Sequence, residues 1–381
     1  MPFFFRRIVP TVLLTSTLLV LTGCGCQEGN DDDTATPEPA PQYDRGYYVD
    51  MALDSQDRIW LAYRNGEKTS LEVARGSGSP LEFTRWTVDG EGEVVGGLLT
   101  GNYDAGNYAT IAIDSDDSPH IAHWDKDDDR LRYATKNGDD WSTFTIDEAG
   151  GTFASMGILD GSDPIVSYYA DGVLKVARRS NGAWTSEVVD EGEDLDPGNG
   201  GEVTPADVGK YSDLLVAADG MVYIAYYDAA HGDLKVARGV PGNWNLSIWS
   251  SEGNVGQWPA LTEHQGIIHV SYSDVGQSSQ LIFGRWTGSQ LETELVDDAD
   301  FVGADSAHSW VGDTAVIMYH DGVNNDAKIA VQEDDGWDVT THMNTGAVGF
   351  FNSLATDSAG RLNWACFDHT STDIIVQRFE P

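Results

Sequence analysis

Cysteines, basic residues and helical periodicity are all scarce in this sequence. Only three of the 381 residues are cysteine, Cys24, Cys26 and Cys366, so a disulfide-rich scaffold is excluded. Lys and Arg number 22 against 62 Asp and Glu, which makes the formal net charge −40. A surface this acidic repels the phosphates of nucleic acids, so the sequence predicts no nucleic-acid partner. No segment shows the sustained apolar stripe of an amphipathic helix.

Motifs of common catalytic chemistry are also missing. The sequence has no zinc-ligand spacing, no nucleophile elbow and no phosphate-binding loop. The nine histidines are scattered, and three of them, His123, His320 and His369, lie at or beside the ends of predicted strands. One of these could act as a general base with a Tyr and an acid. Nothing in the sequence predicts that they converge, so we assign no catalytic residue.

A short repeat occupies most of the chain instead. An aromatic residue opens an apolar strand, a turn of Asp, Ser and Gly follows, and a second strand ends in a Tyr-like residue and usually an Asp two positions on. The clearest of seven copies are residues 108–125 (YATIAIDSDDSPHIAHWD), 211–228 and 351–368. The base period of about 46 residues is typical of propeller blades. The sequence therefore predicts an all-β, seven-bladed β-propeller.

The third copy shows how one blade is built. Strands are predicted at residues 153–159, 165–169, 174–179 and 184–189, joined by short turns that include Asn181-Gly182, a hairpin signal. Seven sets of the first three strands are found but only six fourth strands. Either the last blade has three strands, or residues near 42–46 supply its outer strand; we favour the second. In the copy that ends at Tyr319, we expect Ala304 in the place of the opening aromatic residue.

Residues 112–125 (AIDSDDSPHIAHWD) carry a resemblance to known proteins. They resemble the A-x-D-S-x-G-x-x-H-I-x-Y-Y-D repeats of bacterial secreted seven-bladed β-propellers. The resemblance covers about residues 43–381. It implies the fold and no particular activity, because propellers host binding, signalling and many enzymes.

The N-terminal residues follow a different pattern. Arg6 and Arg7 precede an apolar stretch at residues 8–22 that is short for a membrane span. The sequence LTGC at residues 21–24 resembles the lipobox of bacterial lipoprotein precursors, which implies cleavage before Cys24 and its acylation. Gly25 then favours the outer membrane. We expect a signal peptide at residues 1–23, a disordered acidic, Pro-containing tether at 24–42 and the propeller at 43–381.

Two states remain open for the other cysteines. Cys26 and Cys366 could form a disulfide that joins the tether to the last blade, since an exported protein can form one. Alternatively, Cys366 is a buried, unpaired thiol within a strand.

Binding residues are expected on one face of the ring. Two long connections, at residues 89–107 and 190–210, join the fourth strand of one blade to the first strand of the next. Chain geometry places them on the same face as the turns between second and third strands, and binding loops vary where a scaffold does not. The candidate binding residues on this face are Asp125, Asp228, Asp274, Asp321, Asp368, His320 and His369.

The Asp residues of this group allow two interpretations. An Asp at a turn caps its own backbone neighbours, whereas a ring of Asp could bind cations. Calcium needs six to eight oxygens in one small cage, and the acidic loop at residues 190–196 is the densest oxygen cluster, without the EF-hand spacing. We expect no metal or other cofactor. The alternative is calcium, which is the one candidate ion.

Together these patterns predict a lipid-anchored envelope protein whose propeller binds a protein or a glycan. It would contact the membrane through its lipid anchor only. The alternatives are a carbohydrate-active hydrolase or lyase on the same scaffold, and a structural subunit of an envelope complex. A deep central pocket with a convergent His, Tyr and carboxylate would favour the enzyme, and an acidic face with exposed aromatic residues would favour binding.

Overall fold

The computed structural model describes residues 15–20, 44–90, 93–95, 98–100, 103–195, 198, 201–276 and 279–380. In these ranges the chain forms seven four-stranded antiparallel sheets and one two-stranded hairpin, and none of their residues lies in a helix. The seven sheets are the blades of a propeller, so the predicted all-β, seven-bladed fold is confirmed. Within each blade we name the strands a to d, from the central axis outwards.

The strands are numbered in chain order. β1 is Thr15–Val20. Blade 1 is β2 Arg45–Leu53, β3 Ile59–Asn65, β4 Ser70–Ser77 and β5 Glu82–Asp89, followed by the hairpin β6 Glu93–Val95 and β7 Leu98–Thr100. Blade 2 is β8 Asn107–Ile113, β9 Pro119–Asp125, β10 Arg130–Asn137 and β11 Asp140–Asp147. Blade 3 is β12 Thr152–Leu159, β13 Asp163–Ala170, β14 Val173–Ser180 and β15 Ala183–Asp190.

The remaining blades repeat the same order. Blade 4 is β16 Val208–Val216, β17 Val222–Asp228, β18 Asp233–Val240 and β19 Asn243–Ser250. Blade 5 is β20 Val255–His264, β21 Ile267–Asp274, β22 Gln280–Trp286 and β23 Leu291–Asp297. Blade 6 is β24 Val302–Val311, β25 Thr314–Asp321, β26 Asp326–Glu333 and β27 Gly336–Met343. Blade 7 contains β28 Phe350–Thr356, β29 Leu362–Asp368 and β30 Asp373–Glu380.

The outer strand of blade 7 is β1, which pairs antiparallel with β30. The expectation that residues near 42–46 supply this strand is wrong, because the chain from Arg45 onwards already forms strand a of blade 1. Strand a of blade 1 also closes the ring, because its first residue contacts blade 7. The Arg45 backbone N–H donates to the Thr372 carbonyl at 2.9 Å, and its guanidinium lies 3.0 Å from the Asp373 carboxylate. β1 lies inside the predicted signal peptide, so cleavage before Cys24 would leave β30 as an edge strand.

A glycine near the start of every strand a lets neighbouring blades approach closely. Gly209 has φ +106°, and a Cβ placed on it would lie 2.8 Å from the Cα of Leu174 in the preceding blade. A side chain therefore fits neither the backbone conformation nor the space. The equivalent glycines, all with φ between +84° and +133°, are Gly46, Gly106, Gly151, Gly256, Gly303 and Gly349.

Polar triads join three of the blade interfaces. An Asp at the end of strand d accepts hydrogen bonds from a Tyr in strand b and a Lys in strand c of the next blade. Asp190, for example, lies 2.6 Å from the Tyr226 hydroxyl and 2.5 Å from Lys235 Nζ. The other two triads are Asp147, Tyr168 and Lys175, and Asp297, Tyr319 and Lys328. The recurrent Tyr is therefore a buried interface residue, as its repetition predicts.

His123 and Cys366 occupy this Tyr position in blades 2 and 7. His123 is 0% exposed; its Nδ1 accepts from the Gly106 N–H at 3.1 Å, so Nε2 carries the hydrogen and donates to Asp89 at 3.2 Å. Cys366 is also 0% exposed and is a free thiol packed in the apolar cluster between blades 6 and 7. Burial raises the pKa of this thiol. Both residues thus complete interfaces between blades, and Cys26 lies outside the described residues.

Candidate functional site

The turns between strands b and c and the d-to-a connections share one face of the ring, which we call the upper face. Each connection donates a backbone hydrogen bond to the b–c turn of the preceding blade. Val208 N–H, for example, donates to Gly172 O at 3.0 Å, and Val255 N–H donates to Gly232 O at 2.9 Å. The described residues of the connections at 89–107 and 190–210 therefore lie on the upper face, as predicted.

A central cavity of about 480 Å³ follows the ring axis and is lined by the seven a strands. One residue near the upper end of each a strand has a φ between 48° and 56°, at a break in the a–b pairing. This backbone conformation is rare for residues other than glycine and occurs at the same place in every blade. The residues are Tyr48, Tyr108, Phe153, Tyr211, Trp258, Asp305 and Phe351.

Six of these residues form an interrupted ring of aromatic side chains. Neighbouring centroids lie 4.6 to 4.8 Å apart, with interplanar angles of 36° to 56°. Rings that lay flat around the cavity, edge beside edge, would overlap at this spacing. Each ring therefore packs against the next with its face and points its edge towards the axis. Each of the six rings therefore packs against its aromatic neighbours in a tilted arrangement.

The interruption falls at Asp305, which takes the seventh place. Gly303 precedes it by two positions, as Gly209 precedes Tyr211, and this register identifies the place. The expectation that Ala304 lies there is wrong, because the distance to the Tyr of strand b is one residue shorter in this blade. Within the described residues, Trp258 has no ring contact on the Asp305 side, and neither has Phe351. The ring of aromatic contacts is therefore open between Trp258 and Phe351, and the side chain at this gap is the Asp305 carboxylate.

Two further carboxylates line the cavity but are bonded differently. Asp50 accepts hydrogen bonds from Ser353 Oγ at 3.0 Å, Thr110 Oγ1 at 3.1 Å and the Ile111 N–H at 2.9 Å, which ties three blades together. Asp213 likewise accepts one side-chain and one backbone hydrogen bond from the adjacent blades. From the described part of the chain, the Asp305 carboxylate accepts only the Phe351 N–H, at 3.1 Å.

Burial in the cavity raises the pKa values of all three carboxyl groups, to about 6 for Asp213 and for Asp305. The backbone N–H bonds oppose this shift without cancelling it. Burial also raises the pKa of the Tyr211 hydroxyl, with a smaller contribution from the Asp305 carboxylate. The described residues that line the cavity include no Lys, Arg or His.

The five predicted Asp residues cap turns on the upper face. Each accepts a hydrogen bond from the backbone N–H two residues on: Asp125 from Asp127, Asp228 from Ala230, Asp274 from Gly276, Asp321 from Val323 and Asp368 from Thr370. Three of them, Asp125, Asp228 and Asp321, are at most 6% exposed. The structure distributes them over five blades and brings none into the cavity lining, and their binding role stays a prediction.

His320 and His369 lie close together on the upper face. Both rings contact Phe350, at centroid distances of 4.1 and 5.1 Å. His320 is buried, its Nδ1–H donates to the Val348 carbonyl at 3.0 Å, and burial lowers its pKa. His369 is exposed, and its ring centroid lies 6.0 Å from that of Tyr47. Neither His lines the cavity.

No group of three or more acidic, His or Cys side chains in the described part of the chain is arranged to hold a metal ion. Within the acidic loop, the Asp194 carboxylate instead accepts the Ala206 N–H at 2.8 Å. The same ranges contain no helix that is long and apolar enough to cross a bilayer.

Comparison with known proteins identifies the fold. No family model matches the chain, and no curated protein matches it. Among solved structures it is similar to an ulvan lyase, a polysaccharide lyase, with a TM-score of 0.57, 12% identity and coverage of 87% of this chain and 94% of the lyase.

Two further similar structures extend the comparison. A protein of unknown function from Dyadobacter fermentans has a TM-score of 0.54 and 10% identity, over 72% of this chain and 94% of that one. The SapL1 lectin, solved with alpha methyl fucoside, has a TM-score of 0.50 and 10% identity, over 79% of this chain and 97% of the lectin. At these identities the similarities establish the propeller fold and no finer property.

Proposed function

We propose that the propeller is a non-catalytic binding module for a glycan, and that the glycan enters the upper mouth of the central cavity. The gap at Asp305 carries this proposal. Here Trp258 and Phe351 have no ring contact on the Asp305 side from the described residues, and apolar sugar faces pack on aromatic rings of this kind. The Asp305 carboxylate accepts one hydrogen bond from the described residues, so its remaining lone pairs can accept sugar hydroxyls.

The size and composition of the cavity support the same proposal. At about 480 Å³ it lies in the range of small-molecule sites, which combine apolar walls with a few polar groups. The similar structures include a lectin and a polysaccharide lyase, so this scaffold carries glycan-related proteins elsewhere. The support from these similar structures is an analogy between folds only.

A glycan array probed with the full-length chain tests the proposal, followed by titration of the best ligand. Trp258→Leu keeps an apolar side chain but removes the aromatic face, and we expect at least a tenfold loss of affinity, since an aromatic contact contributes about 1 kcal/mol beyond area burial and lost hydrogen bonds add to it. Trp337→Leu, at a strand d outside the cavity, is the matched control. Equal binding by both variants would place the site elsewhere.

The upper face favours one alternative, a glycan lyase or hydrolase. Exposed His369 lies near Tyr47, and the Arg64 guanidinium lies 5.8 Å from the Tyr47 ring centroid. These residue types can exchange protons and stabilise a developing negative charge. New reducing ends or unsaturated products after incubation with a bound glycan, abolished by His369→Ala, would establish the enzyme and refute the non-catalytic proposal.

The location of the module is part of the proposal. The lipobox-like sequence supports export, acylation of Cys24 and anchoring in the envelope, at the outer membrane given Gly25. Two or three acyl chains hold a protein on a bilayer stably, whereas one alone does not. Cys24→Ser should therefore move the protein from the membrane fraction to the soluble fraction. Unchanged retention would exclude the lipid anchor.

A further inference from the structure

The central cavity holds negative charge that the described protein groups do not balance. Asp50, Asp213 and Asp305 all line it, whereas no Lys, Arg or His of the described ranges does. None of the three carboxylates forms an ion pair within the same ranges. Asp50 accepts three hydrogen bonds from neighbouring blades, and Asp213 accepts two. From the described residues, the Asp305 carboxylate accepts a hydrogen bond from the Phe351 N–H alone. Asp305 also takes the position at which the ring of aromatic side chains is interrupted.

We propose that the Asp305 carboxylate binds the protonated amine of an amino sugar seated between Trp258 and Phe351. This inference rests on the proposed glycan-binding function and specifies the ligand class. A charge-assisted hydrogen bond between an ammonium and a carboxylate is among the stronger polar contacts, particularly away from bulk water. The net charge of −40 adds a long-range attraction for cationic ligands.

A metal ion fits this position less well than an ammonium group. Calcium takes six to eight oxygen ligands, and Asp305 is the one carboxylate that the described residues place at the gap. No cluster of metal-binding side chains is found in the described part of the chain. An ammonium group needs one countercharge and a few acceptors, which the Asp305 carboxylate and the Tyr48 and Tyr211 hydroxyls of the same cavity provide.

A sugar amine fits better than the lysine of a protein partner. A lysine side chain would bring only a thin methylene chain into a cavity of about 480 Å³. A sugar ring fills more of this volume and presents its C–H face to Trp258 or Phe351. Its hydroxyls can reach the remaining acceptors of the lining. The amino sugar therefore uses both features of the gap, its aromatic faces and its charge.

The test compares three probes on the full-length chain by titration calorimetry at neutral pH. A glucosamine tetrasaccharide carries the amines, the N-acetylglucosamine tetrasaccharide has the same backbone without charge, and tetralysine carries amines without a sugar. The variants are Asp305→Asn, which keeps an acceptor for the Phe351 N–H, Asp338→Asn, which removes the same charge at an exposed position, and Trp258→Leu. Thermal unfolding confirms that each variant is folded.

We expect the wild type to bind the glucosamine probe about tenfold or more tightly than the acetylated one. In Asp305→Asn this ratio should fall to about one, and Asp338→Asn should keep it, which separates a site from general attraction to an acidic protein. Equal affinity for both sugars, unaffected by Asp305→Asn but lost in Trp258→Leu, would overturn the amine inference and leave glycan binding intact. Asp305-dependent binding of tetralysine alone would overturn the sugar assignment. Failure of every sugar probe, on this titration and on the array, would overturn both proposals.

Discussion

Replacing Asp305 by Asn should stabilise the protein above about pH 6, and the gain should vanish in acid. The carboxyl group has an ordinary pKa of 3.8, and burial in the cavity raises it to about 6. The folded state therefore holds the proton more tightly than the unfolded state. Between these two values the wild type gains stability as the pH falls, because the folded state takes up the proton first. The amide of the Asp305→Asn variant carries no charge and does not titrate in this range.

The magnitude follows from the shift. One pKa unit corresponds to about 1.4 kcal/mol, so ionised Asp305 costs the fold up to about 3 kcal/mol at pH 8. This is an upper limit, because part of the side chain meets water in the cavity. For a domain of this size the gain corresponds to a rise in Tm of roughly 4 °C. The Phe351 N–H retains an oxygen acceptor in the variant, so this buried donor keeps a partner.

Urea unfolding of wild type and variant at several values between about pH 4 and pH 8 provides the measurement. Asp50 and Asp213 are present in both proteins, so the difference in unfolding free energy isolates Asp305. It should be largest at pH 8 and approach zero near pH 4. Asp338→Asn should show little difference throughout. A difference that is independent of pH, or a variant less stable than wild type at pH 8, would refute the reasoning.

Two other substitutions test the contacts between blades. Asp297→Ala leaves the Tyr319 hydroxyl and the Lys328 ammonium without their acceptor in a buried interface. We expect the unfolding free energy, measured in urea, to fall by about 3 kcal/mol, against less than about 1 kcal/mol for Tyr319→Phe. Equal losses in the two variants would contradict the triad. Gly209→Ala adds a Cβ 2.8 Å from a neighbouring Cα at a positive φ and should cost several kcal/mol or prevent folding. Gly182→Ala, at a turn with a similar φ and no described neighbour within 4 Å, should cost about 1 kcal/mol.

The repeat predicts the fold in detail because the same local pattern recurs in each of the seven blades. The strands expected for the third copy at residues 153–159, 165–169, 174–179 and 184–189 agree with β12 to β15 within two residues. The error lies at blade 7, whose outer strand β1 comes from the N-terminal segment. Pairing across more than 300 residues leaves no local signal, and an apolar stretch has the same composition in a strand as in a signal peptide.

The candidate site was harder to predict, because it depends on which repeated position faces the axis. The repeat identifies the opening aromatic residues, but a sequence does not show that six rings meet around one cavity. The signal that could have located Asp305 is the Gly-x-aromatic register, since Gly303 precedes Asp305 by two positions as Gly349 precedes Phe351. Counting back from Tyr319 at the spacing of most copies misplaces it by one residue, because the turn between strands a and b of blade 6 has only two residues, between Val311 and Thr314.

The Asp305 place connects stability with function. In six blades the same backbone conformation carries an aromatic residue that packs on its neighbours, so the scaffold accommodates such a ring there. In blade 6 it carries instead a carboxylate with a raised pKa, which lowers the stability of the fold at neutral pH. The interface triads show the opposite arrangement, since Lys328 and Tyr319 outweigh the effect of burial and lower the pKa of Asp297. The interface acids thus have cationic partners, whereas Asp305 has no ion pair among the described residues and lines the central cavity, where a ligand can reach it. A ligand that supplies the missing positive charge would recover the stability that Asp305 removes.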